Sequence, residues 1–317
     1  MKPILGTMTF SDQVDQSTAA EMITAFKQAR HREVDTAYVY AGGNTESLLG
    51  RLQKDGVLDD CIVAGKVNPL VENGLQPIAV DHQITTSLER LNLESFDLFY
   101  LHQPDLDTSI ERTLEAVFRH FQAGRFKRFG LSNYAAWQVA EITEMCKVNG
   151  WMQPVVYQGM YNAITRDVER ELFPCLRHYG INFYVYNPLA GGLLSGKHAG
   201  FDSKPADGRF GTNEQYQDRY WKSEFFPVIT QFAQTCQAHD VAPASAALRW
   251  LVHHSALSSD VKEHGFDHSI VLGASSMTHF SANLAACADG PLPDAIVQVL
   301  DDGWETVRPW CIKYFRP

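Results

Sequence analysis

Eight short apolar runs, each followed by a stretch whose apolar residues recur at helical spacing, predict a single closed parallel (β/α)8 barrel over residues 1–317. No hairpin joins the first four runs, so successive strands are connected by crossovers and lie parallel. A doubly wound open sheet fits less well, because no Gly-x-Gly-x-x-Gly follows any of the runs. At 317 residues and 45% hydrophobic, the chain could also build two ordinary domains. It has no linker, internal repeat or low-complexity segment, which leaves one domain.

The elements follow in order. A strand at 3–7 precedes a helix at 17–29, where Ser17 is the expected N-cap and Met22, Ile23 and Phe26 share a face. Strand 33–37 precedes helix 45–53, strand 61–65 helix 77–91, and strand 96–101 helix 109–122. Strand 126–131 leads into helix 135–148, strand 154–157 into helix 168–178, and strand 181–186 into a long irregular region. Helix 243–253, strand 269–272 and helix 279–287 complete the ring. Three stretches depart from this alternation. Residues 191–224, rich in Gly, Asp, Lys and aromatics, read as a lid or binding loop. The polar stretch 258–268 reads as a surface insertion. A final helix at 293–307 and an aromatic tail at 308–317 are placed to fold over one end of the barrel.

Composition removes several function classes. A formal net charge of −10 repels nucleic acid and anionic membrane. No run of about 18 apolar residues offers a spanning helix, and the apolar start is too short for a signal-peptide core. Six scattered cysteines without a Cys-x-x-Cys pair fit a reducing cytoplasm. The histidines form no metal-ligand spacing, so no metal is expected.

In a barrel of this kind, catalytic groups sit at the C-terminal strand ends. Here the runs end near Asp35 with Tyr40 in its loop, on Lys66, on His102, on Ser132 and Asn133, on Gln158, on Tyr186 and Asn187, and on Ser275 and Ser276. That is a ring of polar groups around one mouth. Asp, Tyr, Lys and His together suit hydride addition to a carbonyl, whose oxygen gains negative charge and needs a proton. Lys66 would lower the phenol pKa of Tyr40, Asp35 would hold Lys66, and a neutral His102 would donate a hydrogen bond to the oxygen. The bland alternative is a buried Lys–Asp pair at the rim and a core histidine after Leu101.

The motifs then become specific. Val34-Asp35-Thr36-Ala37 with Tyr40, Ala64-Gly65-Lys66, and Asp97-Leu98-Phe99-Tyr100-Leu101-His102 stand in sequence with Gly130-Leu131-Ser132-Asn133-Tyr134 and Tyr184 to Leu194. Over nearly all its length the chain resembles the aldo-keto reductase superfamily. Val156 to Asn162 and Glu171 to Arg177 are similar to the aflatoxin-aldehyde reductase branch, which includes succinic semialdehyde reductases. The resemblance implies Tyr40 as general acid, with Asp35, Lys66 and His102 completing a tetrad. It implies Ser132, Asn133 and Gln158 on the nicotinamide carboxamide, with Tyr186 stacked on the ring. Asn187, Leu189, Gly191, Ser275, Ser276, His279 and Asn283 would hold the rest of an NADPH.

Many relatives carry Lys and Arg after strand eight to clamp the 2′-phosphate, whereas here the run is Gly273-Ala274-Ser275-Ser276-Met277-Thr278-His279. Hydroxyls and backbone N–H groups at a helix start still suit a phosphate. Gly191 to Lys197 matches the first part of a P-loop, but His198 replaces the Ser/Thr that would hold Mg²⁺, so it reads as a loop beside the cofactor pyrophosphate. Trp221, with Tyr220, Trp310, Tyr314 and Phe315, could wall a substrate pocket. Arg219 and Arg316 could pair a substrate carboxylate, or be solvated surface charges. The resemblance implies an aldehyde or ketone substrate and a homodimer. The alternative within the superfamily is a regulatory subunit like the potassium-channel β-subunits, against which stands the lack of a segment before strand one.

Overall fold

The computed structural model describes residues 1–198 and 200–316, with the side chain of Lys262 left aside; Ala199 and Pro317 lie outside it. The strands β1 (Lys2–Gly6), β2 (Glu33–Asp35), β3 (Ile62–Val67), β4 (Phe96–Leu101), β5 (Phe126–Ser132), β6 (Val156–Met160), β7 (Asn182–Tyr186) and β8 (Ser269–Leu272) close into one barrel in sequence order. Every pair is parallel, and β1 closes on β8 with Ile4 opposite Val271. The predicted (β/α)8 barrel is therefore the fold.

Two packed layers follow from the two-residue period of a strand. Ile4, Ala64, Leu98, Tyr100, Val156 and Tyr184 fill the barrel interior. The alternate residues of the same strands, such as Phe99 and Leu101, pack outward under the helices. At the strand starts, away from the site, Arg128 ties β2, β4 and β7 together. It hydrogen-bonds Asp97 at 2.9 Å through Nε, reaches Glu33 at 3.5 Å and meets the Tyr184 hydroxyl at 3.3 Å.

Several local expectations are corrected. The N-cap of the first helix, Gln16–Gln28, is Asp15, not Ser17. Asp15 Oδ1 accepts from Thr18 N at 2.8 Å, the offset at which a cap satisfies an orphan N–H, while Ser17 already lies inside the first turn. The predicted helix 168–178 is a 3-10 turn, Asp167–Glu169, followed by a separate helix, Leu172–Tyr179. Pro174 explains the break, since it has no N–H for residue 170 and is tolerated only in a helix's first turn.

The stretch 258–268 is only in part a polar surface insertion, with Ser259, Glu263, His264 and Asp267 exposed. Residues 258–264 lie in a helix, Ala256–His264, capped by Ser255, and Ser258, Asp260 and, beyond the helix, His268 are buried. Asp260 pairs with Arg177 at 3.2 Å and His268 Nδ1 accepts from Phe183 N at 2.9 Å, while His268 Nε2 is buried 3.8 Å from Asp260 Oδ2 without a hydrogen bond. Nor is 191–224 irregular throughout, for it holds helices Gly208–Thr212 and Glu214–Tyr220. A helix without a sequence expectation, Phe225–Ala238, packs on the C-terminal helix Asp294–Val307, where Gly303 lets Val228 approach. Strand β6 runs to Met160 instead of Tyr157, which puts Gln158 within the ladder, opposite Ser132 and Tyr184. Among the described residues no helix is long and apolar enough to cross a membrane, and no group of side chains could hold a metal ion.

Candidate active site

The C-terminal strand ends open into a cavity of about 920 Å³. Its floor is an ion pair. Lys66 donates to Asp35 Oδ2 at 2.6 Å and to Thr36 O at 2.6 Å, and Gln158 donates to Asp35 Oδ1 at 2.8 Å. Lys66 and Asp35 are 1% and 3% exposed, so the pair is nearly sealed from water and must satisfy itself. Burial lowers the Lys66 pKa, and Asp35 pulls it back up.

Tyr40 stands above this pair, with the Lys66 ammonium 5.2 Å from its ring centroid. The expectation that Lys66 draws the phenol pKa down is not met. Burial, and then the charge of Asp35, hold it well above the usual tyrosine range. The reason is that Lys66 is already paired with Asp35, so Tyr40 faces a nearly neutral couple from a poorly solvated position. A phenol so placed keeps its proton.

His102 meets Tyr40 edge to face, ring centroids 5.9 Å apart. Burial, and then Lys66 and Arg316, push its pKa down to about 3, so the imidazole is neutral, as the sequence reading required. Asn68, a residue that reading missed, lies 3.2 Å from His102 Nδ1. The signal was available: β3 continues past Lys66 through Val67, which brings Asn68 to the mouth beside the end of β4.

Around the wall, Ser132, Asn133, Gln158, Tyr186, Asn187, Leu189, Gly191, Ser275, His279 and Asn283 all line the cavity. Asn133 is held by its neighbours. Its Nδ2 donates to His102 O and Ser132 Oγ, both at 2.9 Å, and its Oδ1 accepts from the Tyr186 hydroxyl at 2.6 Å. Gly191 adopts φ +71°, and a Cβ there would lie 2.6 Å from the Tyr216 ring, so only glycine lets Tyr216 settle on this turn. Tyr216 in turn donates to Asn187 Oδ1 at 3.1 Å, while Asn187 Nδ2 is buried without a partner. An unpartnered buried donor on the wall fits a polar ligand such as a nicotinamide dinucleotide. Ser276 is not on the wall; it caps the following helix, accepting from His279 N at 3.3 Å.

Lys197 and Arg209, neither singled out in the sequence, also line the cavity. Lys197 Nζ lies 3.0 Å from His279 Nε2 across 82 residues of sequence. It is the lysine that ends the rejected P-loop-like run, which was the signal for it.

Arg219 and Arg316 both line the cavity, whereas Trp221 does not. Trp221 donates Nε1 to Phe201 O at 3.1 Å and packs on His198, Phe210 and Phe226. The expected wall of Tyr220, Trp310, Tyr314 and Phe315 is likewise absent, its place taken by Phe210 and Tyr216. These aromatics were assigned from their type alone, and large rings satisfy themselves in packing as readily as at a ligand. The tail does fold over the barrel. Tyr314 donates to Glu171 at 2.5 Å and accepts from Ala136 N at 3.1 Å, and Arg316 N donates to Asn133 O at 2.9 Å.

The profile of the Aldo/keto reductase family matches residues 3–305. The chain belongs to that family. It is 47% identical to human Aldo-keto reductase family 7 member A3, over 99% of this chain and 96% of the relative. It is also 47% identical to human Aflatoxin B1 aldehyde reductase member 2, over 99% and 89%. A fungal aldo-keto reductase of Pseudocercospora fijiensis is 39% identical over 93% of this chain and the relative's full length. This aldo/keto reductase is thus an NAD(P)H-dependent oxidoreductase, and its similarity is to the aflatoxin-aldehyde reductase branch whose motifs the sequence carries.

Proposed function

We propose that this chain reduces aldehydes to alcohols with NADPH, Tyr40 giving the proton, and that its substrates include dialdehydes and acidic aldehydes such as succinic semialdehyde. The observation that carries the reading is one group of four at the mouth: a protonated Tyr40, a neutral His102, and the Lys66–Asp35 pair beneath them. A nicotinamide held on this wall would supply the hydride for the carbonyl carbon. As charge grows on the oxygen, Tyr40 hands over its proton and His102 donates a hydrogen bond that holds the oxygen in place. Lys66, against the face of the Tyr40 ring, stabilises the phenolate left behind. Ser132 and Gln158, on the cavity wall, would hold the carboxamide, and Tyr186, also on the wall, would stack on the ring.

Lys197 beside His279 supports NADPH over NADH. The pair supplies, from the loop after β7, the cation that the run after β8 lacks. Lys197→Ala is expected to raise KM for NADPH by about 10–100-fold and leave KM for NADH nearly unchanged, since a charge-assisted contact to phosphate contributes about 1.5–3 kcal/mol.

For the substrate, Arg219 and Arg316 both line the cavity near enough to Tyr186 for their charges to bear on it, and neither has a carboxylate partner among the described residues. Burial and the charge of Arg219 lower the pKa of Arg316, so an anion placed between them relieves a repulsion. Arg316→Leu is expected to raise KM for succinic semialdehyde roughly tenfold or more while leaving 4-nitrobenzaldehyde within about twofold.

Following NADPH absorbance with these two aldehydes tests the whole reading; turnover too slow to measure with both would favour the regulatory alternative. We also infer a cytoplasmic homodimer, consistent with six free cysteines and testable by sedimentation and fractionation.

A further inference from the structure

Every polar atom of Asn68 has a partner, and three of the four partners have a fixed role. Gln83, on the helix Pro77–Leu91, donates Nε2 to Asn68 O at 3.1 Å and accepts Asn68 N–H on Oε1 at 2.9 Å. Its side chain thereby pins the Asn68 backbone as a neighbouring strand would. Leu70 N–H donates to Asn68 Oδ1 at 2.8 Å. With the oxygen committed, the end of the carboxamide that faces His102 is Nδ2, at 3.2 Å from the ring's Nδ1. An amide nitrogen only donates, so Nδ1 has to accept and carries no proton. In the neutral ring the proton is then on Nε2.

We infer that Asn68, held by Gln83, is a positioning residue that fixes His102 as its Nε2–H tautomer, so that the imidazole presents a donor to the cavity. The surroundings agree. The charged groups that bear on the ring are Lys66 from β3 and Arg316 from the tail, both cations, and Tyr40 faces it edge-on. An imidazolium would set an Nδ1–H against the Asn68 amide, two donors nose to nose. The opposite neutral tautomer would do the same and would turn a lone pair toward a carbonyl oxygen that gains negative charge. The catalytic consequence, though not the tautomer itself, rests on the proposed reduction.

The test is long-range proton–nitrogen NMR on isotopically histidine-labelled enzyme with NADP⁺ bound, which distinguishes rings protonated at Nδ1, Nε2 or both. With 12 histidines, the His102 signals are assigned by their loss in His102→Gln. The wild-type ring is expected to be protonated at Nε2 alone across neutral pH. Asn68→Asp is nearly isosteric: one oxygen still takes Leu70 N–H, and the other accepts from the ring. In that variant Nδ1 should become protonated and the ring should titrate at higher pH. The rate of aldehyde reduction should fall about tenfold or more and acquire a new pH dependence, as when an oxyanion donor is misplaced. Gln83→Met, which keeps Asn68 but removes its clip, should give mixed tautomers. A tautomer that switches without any change in rate would uphold the role of Asn68 and count against that of His102 in the proposed reduction. An Nδ1–H ring in the wild type, or the same ring signals in Asn68→Asp, overturns the inference, and the wild-type spectrum decides it even where a variant does not fold.

Discussion

Tyr40→Phe is expected to lower kcat for aldehyde reduction by about 10²–10⁴-fold while leaving NADPH affinity within about twofold. The change removes one hydroxyl and keeps the ring, so the edge-to-face contact with His102 and the contact with the Lys66 ammonium both persist. The Tyr40 hydroxyl makes no hydrogen bond among the described contacts, and the backbone N–H keeps its bond to Ala37 O at 3.1 Å, so stability should hardly move. The loss therefore measures proton donation. A second group near the oxygen, His102, is neutral with its pKa down at about 3, and a weakly acidic imidazole cannot replace the phenol as donor of a whole proton. Cofactor titration by fluorescence and steady-state rates with 4-nitrobenzaldehyde separate the two quantities. Undiminished turnover would remove Tyr40 from the mechanism; lost NADPH binding would mean that it serves the cofactor.

The barrel and the tetrad were legible because each rests on a repeating signal. Period-two and helical spacing fix where strands and helices alternate, and a parallel barrel brings every strand's C-terminal end to one mouth, so Asp35, Lys66 and His102 converge whatever the connecting loops do. What stayed hidden depends on contacts with no period. Asn68 is one residue past a strand whose end was placed two residues early. Lys197 meets His279 only through the fold of the loop after β7. Trp221 looked like a pocket residue from its type, yet its indole is committed to Phe201 and three neighbouring rings. The direction of the Tyr40 pKa went the other way because the sequence, which pairs Asp35 with Lys66, shows neither how deeply the phenol is buried nor how far that pairing cancels the lysine's charge.

That neutralisation makes Lys66→Met the change with the largest expected effect on stability. Methionine fills much of the same volume but removes the ammonium, leaving Asp35 at 3% exposure with Gln158 as its one remaining side-chain donor among the described residues. Breaking a buried pair from one side costs about 3–5 kcal/mol, because the surviving charge is left uncompensated. At about 2 cal/mol/K of unfolding entropy per residue, that is a fall in Tm of about 4–8 °C for a chain of this length. Adding Asp35→Asn to Lys66→Met removes the stranded charge and should recover much of the lost Tm, since replacing both partners of a buried pair is far milder than removing one. Activity should not recover, because the cation that stabilises the Tyr40 phenolate is still missing. Calorimetry on the single and double variants reads the stability difference and NADPH oxidation reads the other. A double variant that regained turnover would show that Lys66 serves the fold alone.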